Sequence, residues 1–247
     1  MSLIKFYNIF HLNSSSQTKI IGKNNFTYSL ILGKLIKFIN NSKNLTILDF
    51  GCGVGTLSFY FANQGHTVEG YDISSEAIHL ANLSSKKLNL EKKTKFYNSK
   101  IRFLNKQKRR FNLIICSEVL EHIKNDKEQL SIFYKSLKKG GKIFISVPSK
   151  NAPLYKLGIS KKFDLQVGHL RRYSEKDIKE ILIKTNYSRI RIYKSEGILR
   201  NSLYLIKPLN IFIRFIKGPL TPLVNFIDRI TAILFGESDL IILAQKI

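Results

Sequence analysis

The sequence predicts an α/β fold in which a mostly parallel sheet carries helices on both faces. Short apolar runs, typical of buried strands, alternate along the chain with segments whose apolar residues recur at helical spacing. The run that starts at Ile47 leads directly into a loop with three alternate glycines and then into a helical pattern. Such alternation indicates parallel strands, because each must be joined to the next by a crossover helix.

The elements of the central part follow in a regular order. A helix is predicted over residues 26–40, before the first strand and the glycine loop. A helix over 56–64, a strand over 66–71 and a helix over 74–87 come next, and Ser74 can cap the last of these. A short strand over 95–97, a buried strand over 111–116, a helix over 126–138 that ends at Gly140 and Gly141, and a strand over 142–148 follow.

A long loop over residues 149–173 separates these elements from the C-terminal ones. It leads to a helix that Ser174 caps, with Asp177 as the partner in a capping box. A strand over 189–194 follows, and the run SDLIILAQKI at the end of the sequence predicts a last strand.

The length predicts one main domain with an appendage. We expect a helical cap over residues 1–44 and a main domain over 45–247. An insertion over 197–236 separates the last two strands, and it contains helical patterns from Leu209 to Ile216 and from Leu223 to Leu234. Because Lys and Arg edge its apolar faces, the insertion is either a lid over the site or a helix lying on a membrane surface.

The composition favours acidic partners. The 247 residues carry a formal net charge of +24, which suits nucleic acid, an anionic lipid surface or a phosphorylated substrate, although compositional drift toward lysine explains it equally well. The two cysteines, Cys52 and Cys116, are expected to be a reduced pair. The first residues lack the features of a secretory signal, and no apolar stretch is long enough to span a membrane. We therefore expect a cytoplasmic protein, with the inner face of the membrane as a second possible location.

The glycine loop predicts a nucleotide-sized site. A dinucleotide fold needs G-x-G-x-x-G, whereas this loop has Gly51, Gly53 and Gly55 and places Thr56 where the third glycine of that pattern belongs. Without a pyrophosphate to hold, the loop suits an uncharged or zwitterionic group, and Asp72 at the end of the next strand can accept both hydroxyls of a ribose. A nicotinamide dinucleotide site with an altered third glycine is the alternative.

The order of strand, D-x-G-x-G-x-G loop, helix, strand and acid resembles the class I S-adenosylmethionine-dependent methyltransferases. The resemblance runs from about residue 47 to 195 and returns at the last strand. It implies a Rossmann-like, seven-stranded, mostly parallel sheet whose antiparallel last strand lies at the edge, with S-adenosyl-L-methionine as cofactor. The implied cofactor-binding residues are Asp49, Gly51, Cys52, Gly53, Gly55, Asp72, Ile73, Asn98, Ser117 and Glu118. At the adenine, Asn98 and Ser99 stand where the family often has an acid, and the Asn98 carbonyl can replace it.

The run SEVLEHI after Cys116 resembles the branch of type 11/12-like methyltransferases that includes the ubiquinone-pathway O-methyltransferases. On a helix, the spacing of Glu118, Glu121 and His122 would bring all three to one face. The resemblance implies that they hold a divalent cation, which would acidify a hydroxyl of the acceptor. Two alternatives remain: His122 alone is a general base, or the three residues only stabilise the local structure.

The run GHLRRYS resembles a segment found in a subset of these methyltransferases. His169 is a second candidate base, and Arg171 or Arg172 is placed to hold a phosphate or carboxylate, with Tyr173 beside them. An arginine that braces the loop and a tyrosine that packs into the core are the alternative.

These features favour O-methylation of a small or lipid-linked acceptor, either a quinone-type phenol or a sugar. An RNA methyltransferase is the second hypothesis, and a scaffold that binds cofactor without catalysis is the third. Nucleic acid is the less favoured partner, because no separate RNA-binding module is visible and an N-P-P-Y-like run does not follow Cys116.

Overall fold

The computed structural model describes residues 3–12, 14–40, 42–98, 110–213, 215–216 and 220–247. Their strands form a seven-stranded sheet in the order β3-β2-β1-β4-β5-β7-β6. The strands are β1 (Thr46–Phe50), β2 (Thr67–Asp72), β3 (Thr94–Asn98), β4 (Phe111–Ser117), β5 (Leu137–Pro148), β6 (Ser188–Ser195) and β7 (Asp239–Gln245). The predicted α/β class is confirmed.

The last strand is antiparallel, as predicted, but it does not lie at the edge. β7 pairs antiparallel with both β5 and β6, while strands β1 to β5 pair in parallel. The edge prediction is therefore wrong, and β6 takes that place. The burial of the two strands explains why β6 rather than β7 is the edge strand. β7 is buried from Leu240 to Ala244, whereas β6 alternates partly buried and exposed residues, as an edge strand does.

The helices lie on both faces of the sheet. They are α1 (Leu3–Leu12), α2 (Ser29–Ile39), α3 (Thr56–Asn63), α4 (Ser75–Lys87), α5 (Asp126–Ser136), α6 (Pro153–Lys156), α7 (Lys161–Val167), α8 (Glu175–Lys184), α9 (Ile198–Leu205), α10 (Asn210–Ile213) and α11 (Leu220–Phe235). One hydrophobic cluster joins α5 and α8 to the sheet, and a second joins α2 and α3 to it. In the described part of the chain, no helix is long and apolar enough to cross a bilayer.

The two predicted caps are confirmed. Ser74 accepts a hydrogen bond from the Ala77 amide at 3.1 Å. Ser174 and Asp177 form the expected capping box, in which each side chain accepts from the backbone of the other, at 3.2 and 2.9 Å.

Four features of the helices differ from the prediction. α5 ends at Ser136 rather than near the glycine pair, because Leu137 is already extended and pairs with Phe111 at a bulge in the sheet. The long loop contains α6 and α7, and the first helical pattern of the insertion yields only the four-residue α10. Helix α1 was not predicted.

Candidate functional site

The glycine loop leaves the carboxyl end of β1 in a conformation that needs glycine. Gly51, Gly53 and Gly55 have φ angles of +75°, +52° and +86°, and a Cβ at Gly51 would overlap with the side chain of Val119. The amides of Gly51 and Cys52 both donate to the carbonyl of Tyr71, at 2.7 and 3.1 Å. The loop is thereby fixed between the ends of β2 and β4.

Asp72 fastens the other side of this loop. One carboxylate oxygen accepts from the Gly53 amide and the other from the Ser74 amide, both at 2.8 Å. Burial raises the pKa of Asp72, although these hydrogen bonds oppose the shift. Since a carboxylate has about four acceptor positions, Asp72 keeps acceptors for a ligand.

Asp49 lies beneath the loop and is almost completely buried, with 3% of its surface exposed. Ser58 on α3 donates a hydrogen bond to its carboxylate at 2.6 Å. Burial raises the pKa of Asp49 to about 6, against the effect of Ser58. The group is thus a buried acid that ionises near neutral pH.

Two cavities open on either side of this region. The small cavity, about 280 Å³, is lined by the glycine loop, Asp72, Ile73 and residues of the N-terminal helix and the β4 turn. The large cavity, about 370 Å³, lies under α2 and α9 and is lined in part by Asp49, Ser117, His169 and Arg172. Gly51 and Glu118 line both cavities. The two spaces therefore meet beside the glycine loop.

Helix α1 covers the small cavity. Tyr7 and His11 line it, and the Tyr7 hydroxyl lies 3.1 Å from Nε2 of His122. Ser74 donates to Asn8 at 2.8 Å, which ties α1 to the start of α4. The sequence predicted a helical cap over residues 1–44 but placed no helix before residue 26, so these residues were not identified. The aromatic-rich run FYNIF was the available indication of a packed helix.

A helix on which Glu118, Glu121 and His122 would share one face is not present in SEVLEHI. Glu118 has a φ of +54°, and Leu120–His122 forms a single 3₁₀ turn. This tight turn follows directly from β4, whose Ser117 is hydrogen-bonded to Ser146 of β5 at 2.8 Å. As a result, Glu118 faces the two cavities, while Glu121 turns into the protein.

The structure brings His169, rather than Glu118, to Glu121 and His122. The three residues offer ligand atoms within 4.8 Å of one another. Glu121 is fully buried, and neither of its oxygens has a hydrogen-bond partner. Burial and the charge of Glu118 raise the pKa of Glu121 well above its usual range, and burial lowers the pKa of His122 to about 4. A neutral imidazole and an orphaned carboxyl fit a cation site.

His169 is oriented by Asp164 of α7. Their Nδ1 and Oδ1 atoms are 3.1 Å apart. Arg172 donates to the two oxygens of Asp164 at 2.6 and 2.7 Å and to the Ser149 carbonyl at 3.2 Å. Burial opposes ionisation of Asp164, but the hydrogen bonds from His169 and Arg172 prevail and lower its pKa. His169 and Arg172 both line the large cavity.

Arg171 and Tyr173 are both hydrogen-bonded to Asp126. Arg171 donates to Asp126 at 2.7 Å and to the Lys124 carbonyl at 2.9 Å. The buried Tyr173 hydroxyl donates to the same Asp126 at 2.8 Å. Neither residue is among the described residues that line the two cavities. In this structure the two residues connect the long loop to the start of α5.

Asn98, the residue predicted to contact the adenine, lies apart from the described lining of the small cavity. Asn98 is exposed, donates from its amide nitrogen to the Asp72 carbonyl at 3.2 Å and is not among the described residues lining the small cavity. Ser99 lies outside the described residues.

The large cavity has an acidic wall that sequence reasoning missed. Besides Glu118, it contains Glu196 and Asp239, which lie next to each other where β6 and β7 pair. Burial and the charges of Glu118 and Glu196 raise the pKa of Asp239 well above its usual range, and Arg200 lies 3.2 Å from Glu196. Both acids flank the insertion in sequence, and the antiparallel pairing of β6 with β7, in which Ser195 lies opposite Asp239, brings them together.

A family model described as a methyltransferase domain matches residues 26–191. The chain belongs to this methyltransferase family. The match covers β1 to β5, the glycine loop and the first half of β6. The predicted class, the class I S-adenosylmethionine-dependent methyltransferases, is thereby confirmed.

Similar curated proteins include two bacterial ubiquinone biosynthesis O-methyltransferases. The protein from Hydrogenovibrio crunogenus is 32% identical over 127 residues, which cover 51% of this methyltransferase and 52% of the relative. The protein from Idiomarina loihiensis is 34% identical over 114 residues, 46% of each chain. The alignments thus span about half the length of these relatives.

Solved structures share the fold. Phosphoethanolamine N-methyltransferase 2 from Haemonchus contortus, in complex with S-adenosyl-L-methionine, gives a TM-score of 0.67 at 16% identity, over 100% of this chain and 60% of that chain. An S-adenosylmethionine-dependent methyltransferase from Archaeoglobus fulgidus gives 0.62 at 22% identity, over 91% and 97%. At this identity the likeness concerns the fold alone.

The raised pKa of Asp49 predicts a pH-dependent stability that a single substitution removes. Because the folded state holds this proton more tightly than the unfolded state, ionisation of Asp49 destabilises the fold as the pH rises from about 4 to about 6. Two pKa units correspond to about 3 kcal/mol. We expect Asp49→Asn to gain about that much free energy of unfolding, relative to wild type, between about pH 4 and about pH 7.

Urea unfolding of both proteins across this range measures the difference. Asp177→Asn is the matched control, since the Lys150 and Ser174 contacts lower the pKa of Asp177 to about 2. Its difference from wild type is already complete near pH 5 and stays constant above it. A flat profile for Asp49→Asn would mean that Asp49 is not a buried, ionisable acid.

Proposed function

We propose that this chain is an S-adenosylmethionine-dependent O-methyltransferase for a small or lipid-linked acceptor, a quinone-type phenol or a sugar. The observation that carries the proposal is the meeting of the two cavities at Gly51 and Glu118, with the Asp164–His169 pair on the wall of the larger one. The small cavity is then the cofactor site, and the large cavity is the acceptor site.

The residues around the small cavity fit the cofactor. Asp72 has acceptor positions left for two ribose hydroxyls, and the positive φ angles of the loop allow close backbone approach. Asp49 lines the large cavity beside Gly51, so its buried carboxylate suits the ammonium of an amino acid that extends from the small cavity past Gly51. Bound there, S-adenosylmethionine supplies a methyl group on a positive sulfur. The task of the protein is then mainly alignment of two bound molecules, which the shared wall at Gly51 provides.

A hydroxyl acceptor must also lose a proton, and His169 is the proposed base. Because Asp164 accepts from Nδ1, the tautomer that results leaves Nε2 free to take a proton. Arg172 holds Asp164 in place through two hydrogen bonds. His122, whose pKa is about 4, stays neutral near pH 7 and contacts the N-terminal helix instead.

The similar proteins and the charge of the large cavity both bear on the acceptor. The relatives that are 32 to 34% identical are named ubiquinone biosynthesis O-methyltransferases, which supports a phenolic hydroxyl. The acidic wall around Glu118, Glu196 and Asp239 disfavours the phosphate backbone of RNA, despite the net charge of +24. The pairing of Asp164 with His169 favours an active enzyme over a scaffold. We place the protein in the cytoplasm, where Cys52 and Cys116 remain free, as both are here.

A divalent cation is a second candidate for activating the hydroxyl. Glu121, His122 and His169 would hold it, as the orphaned carboxyl oxygens of Glu121 favour. When bound, such a cation lowers the pKa of a coordinated hydroxyl. We expect saturable binding of Mn²⁺ in calorimetry, lost in Glu121→Gln and retained in Glu76→Gln on α4. If wild type binds no Mn²⁺, His169 acts without a metal.

The cofactor site is tested by Asp72→Ala. Loss of the carboxylate removes the ribose acceptors and releases the Gly53 amide, so we expect at least about a hundredfold weaker binding of S-adenosylhomocysteine. Calorimetry measures the affinity, and circular dichroism confirms folding. Glu76→Ala, on the adjoining helix, is the control. Unchanged affinity in Asp72→Ala would remove the small cavity as the cofactor site.

The base is tested on acceptors. Radiolabelled S-adenosylmethionine is incubated with catechols, quinols and lipid-linked sugars to find an acceptor that wild type methylates. On it, we expect His169→Ala to lower kcat about 10²- to 10⁴-fold while S-adenosylhomocysteine still binds. His79→Ala, an exposed histidine on α4, should keep full activity. Full activity of His169→Ala would place the base elsewhere.

A further inference from the structure

Helix α11 is amphipathic, but unlike an ordinary surface helix it buries its polar side and exposes its apolar side. Its buried side chains are Thr221, Asp228 and Ala232, which recur on one side of the helix. The other side carries large apolar residues that are exposed to solvent: Leu220, Leu223, Phe226, Ile227, Ile230, Ile233 and Leu234. A helix packed only for its own stability would bury that apolar side.

The polar side is fixed by specific bonds, so that the helix has one orientation. Asp228 accepts from the amides of Gly197 and Arg200, at 2.7 and 2.8 Å, and so caps the start of α9. The fully buried Arg200 donates to Asn225 at 2.8 Å, and Asn225 donates to Ser29 of α2 at 2.9 Å. Rotation of α11 to hide its apolar side would break all of these bonds.

We name the seven exposed residues from Leu220 to Leu234 the apolar face. In the preceding segment, Ile211, Phe212 and Phe215 are also exposed, by 54%, 52% and 68%. On the face itself, Phe226 is 63% and Ile233 75% exposed. Contiguous apolar surface of this kind marks an interaction site.

The charges around the apolar face are positive. Residues 197–236 contain five basic residues and one acid; Asp228 and Arg200 are buried, which leaves four basic residues and no acid. Arg229 on α11 is exposed, and its charge, with that of Lys37 on α2, adds to burial in lowering the pKa of the nearby Lys34. Lys34, Lys37 and Arg229 thus lie near one another, with Arg229 on the same helix as the apolar face.

We propose that the apolar face docks on an anionic lipid bilayer. Apolar side chains would enter the boundary between headgroups and acyl chains, and the neighbouring cations would contact lipid phosphates. A second copy of the chain is the less suitable occupant, because two surfaces of a chain with net charge +24 would repel each other.

Docking would place the large cavity next to the lipid. α11 packs against α9, and Asn201, Tyr204 and Leu205 of α9 line that cavity. An acceptor with an apolar tail would then reach the cavity from the bilayer. This consequence rests on the proposed function, whereas docking itself does not.

Vesicle flotation tests the docking. Wild type is mixed with vesicles of phosphatidylglycerol and phosphatidylcholine, or of phosphatidylcholine alone, at about 0.1 M salt. The double variant Phe226→Ser, Ile230→Ser removes apolar contacts without touching the polar side. Ile183→Ser is the matched control, since Ile183 is 56% exposed on α8, which packs on the opposite face of the sheet from α2.

We expect wild type and control to float with the anionic vesicles and the double variant to bind at least about tenfold more weakly. Pure phosphatidylcholine should bind wild type more weakly than the anionic mixture. The proposal is overturned if wild type does not float, if the double variant floats as wild type does, or if light scattering shows a dimer that the double variant dissociates. A failed methyl transfer with retained flotation would refute the proposed function and leave the docking intact.

Discussion

The close approach of Val119 to Gly51 is the contact on which the site depends. It joins the glycine loop after β1 to the turn after β4, and it is possible only because residue 51 has no Cβ. On one side of the contact lies the small cavity and on the other the large one. Two molecules bound in these spaces would meet at one place, which is the geometric requirement of a transfer reaction.

Local signals allowed much of the fold to be predicted. The caps at Ser74 and Ser174 depend on residues within three positions, and the glycine loop depends on its own backbone angles, so a short stretch of sequence determines each. Family resemblance added the seven strands and the antiparallel direction of β7. The prediction that β7 lies at the edge was wrong, because the burial of whole strands, rather than turn chemistry, decides which strand is at the edge.

The candidate site was predicted less completely, since it is formed by residues far apart in the chain. Glu121 meets His169 only because the long loop folds back over the β4 turn, where the Leu170 amide donates to the Glu121 carbonyl at 3.0 Å. Glu196 and Asp239 meet across the insertion because β6 and β7 pair antiparallel, with Ser195 opposite Asp239. Spacing along one element cannot reveal such clusters. The spacing of Glu118 and Glu121 also suited one face of a helix, but in the structure β4 is followed by a tight turn at these residues.

Because α1 covers the small cavity, its position affects the order of binding and reaction. Tyr7 contacts His122, and the His122 ring lies 4.8 Å from the ring of His169 at the wall of the neighbouring cavity. Lifting α1 to let a molecule into or out of the small cavity would withdraw Tyr7 from that pair of rings. Loading and reaction would then require two positions of α1, one that opens the small cavity and one that closes it.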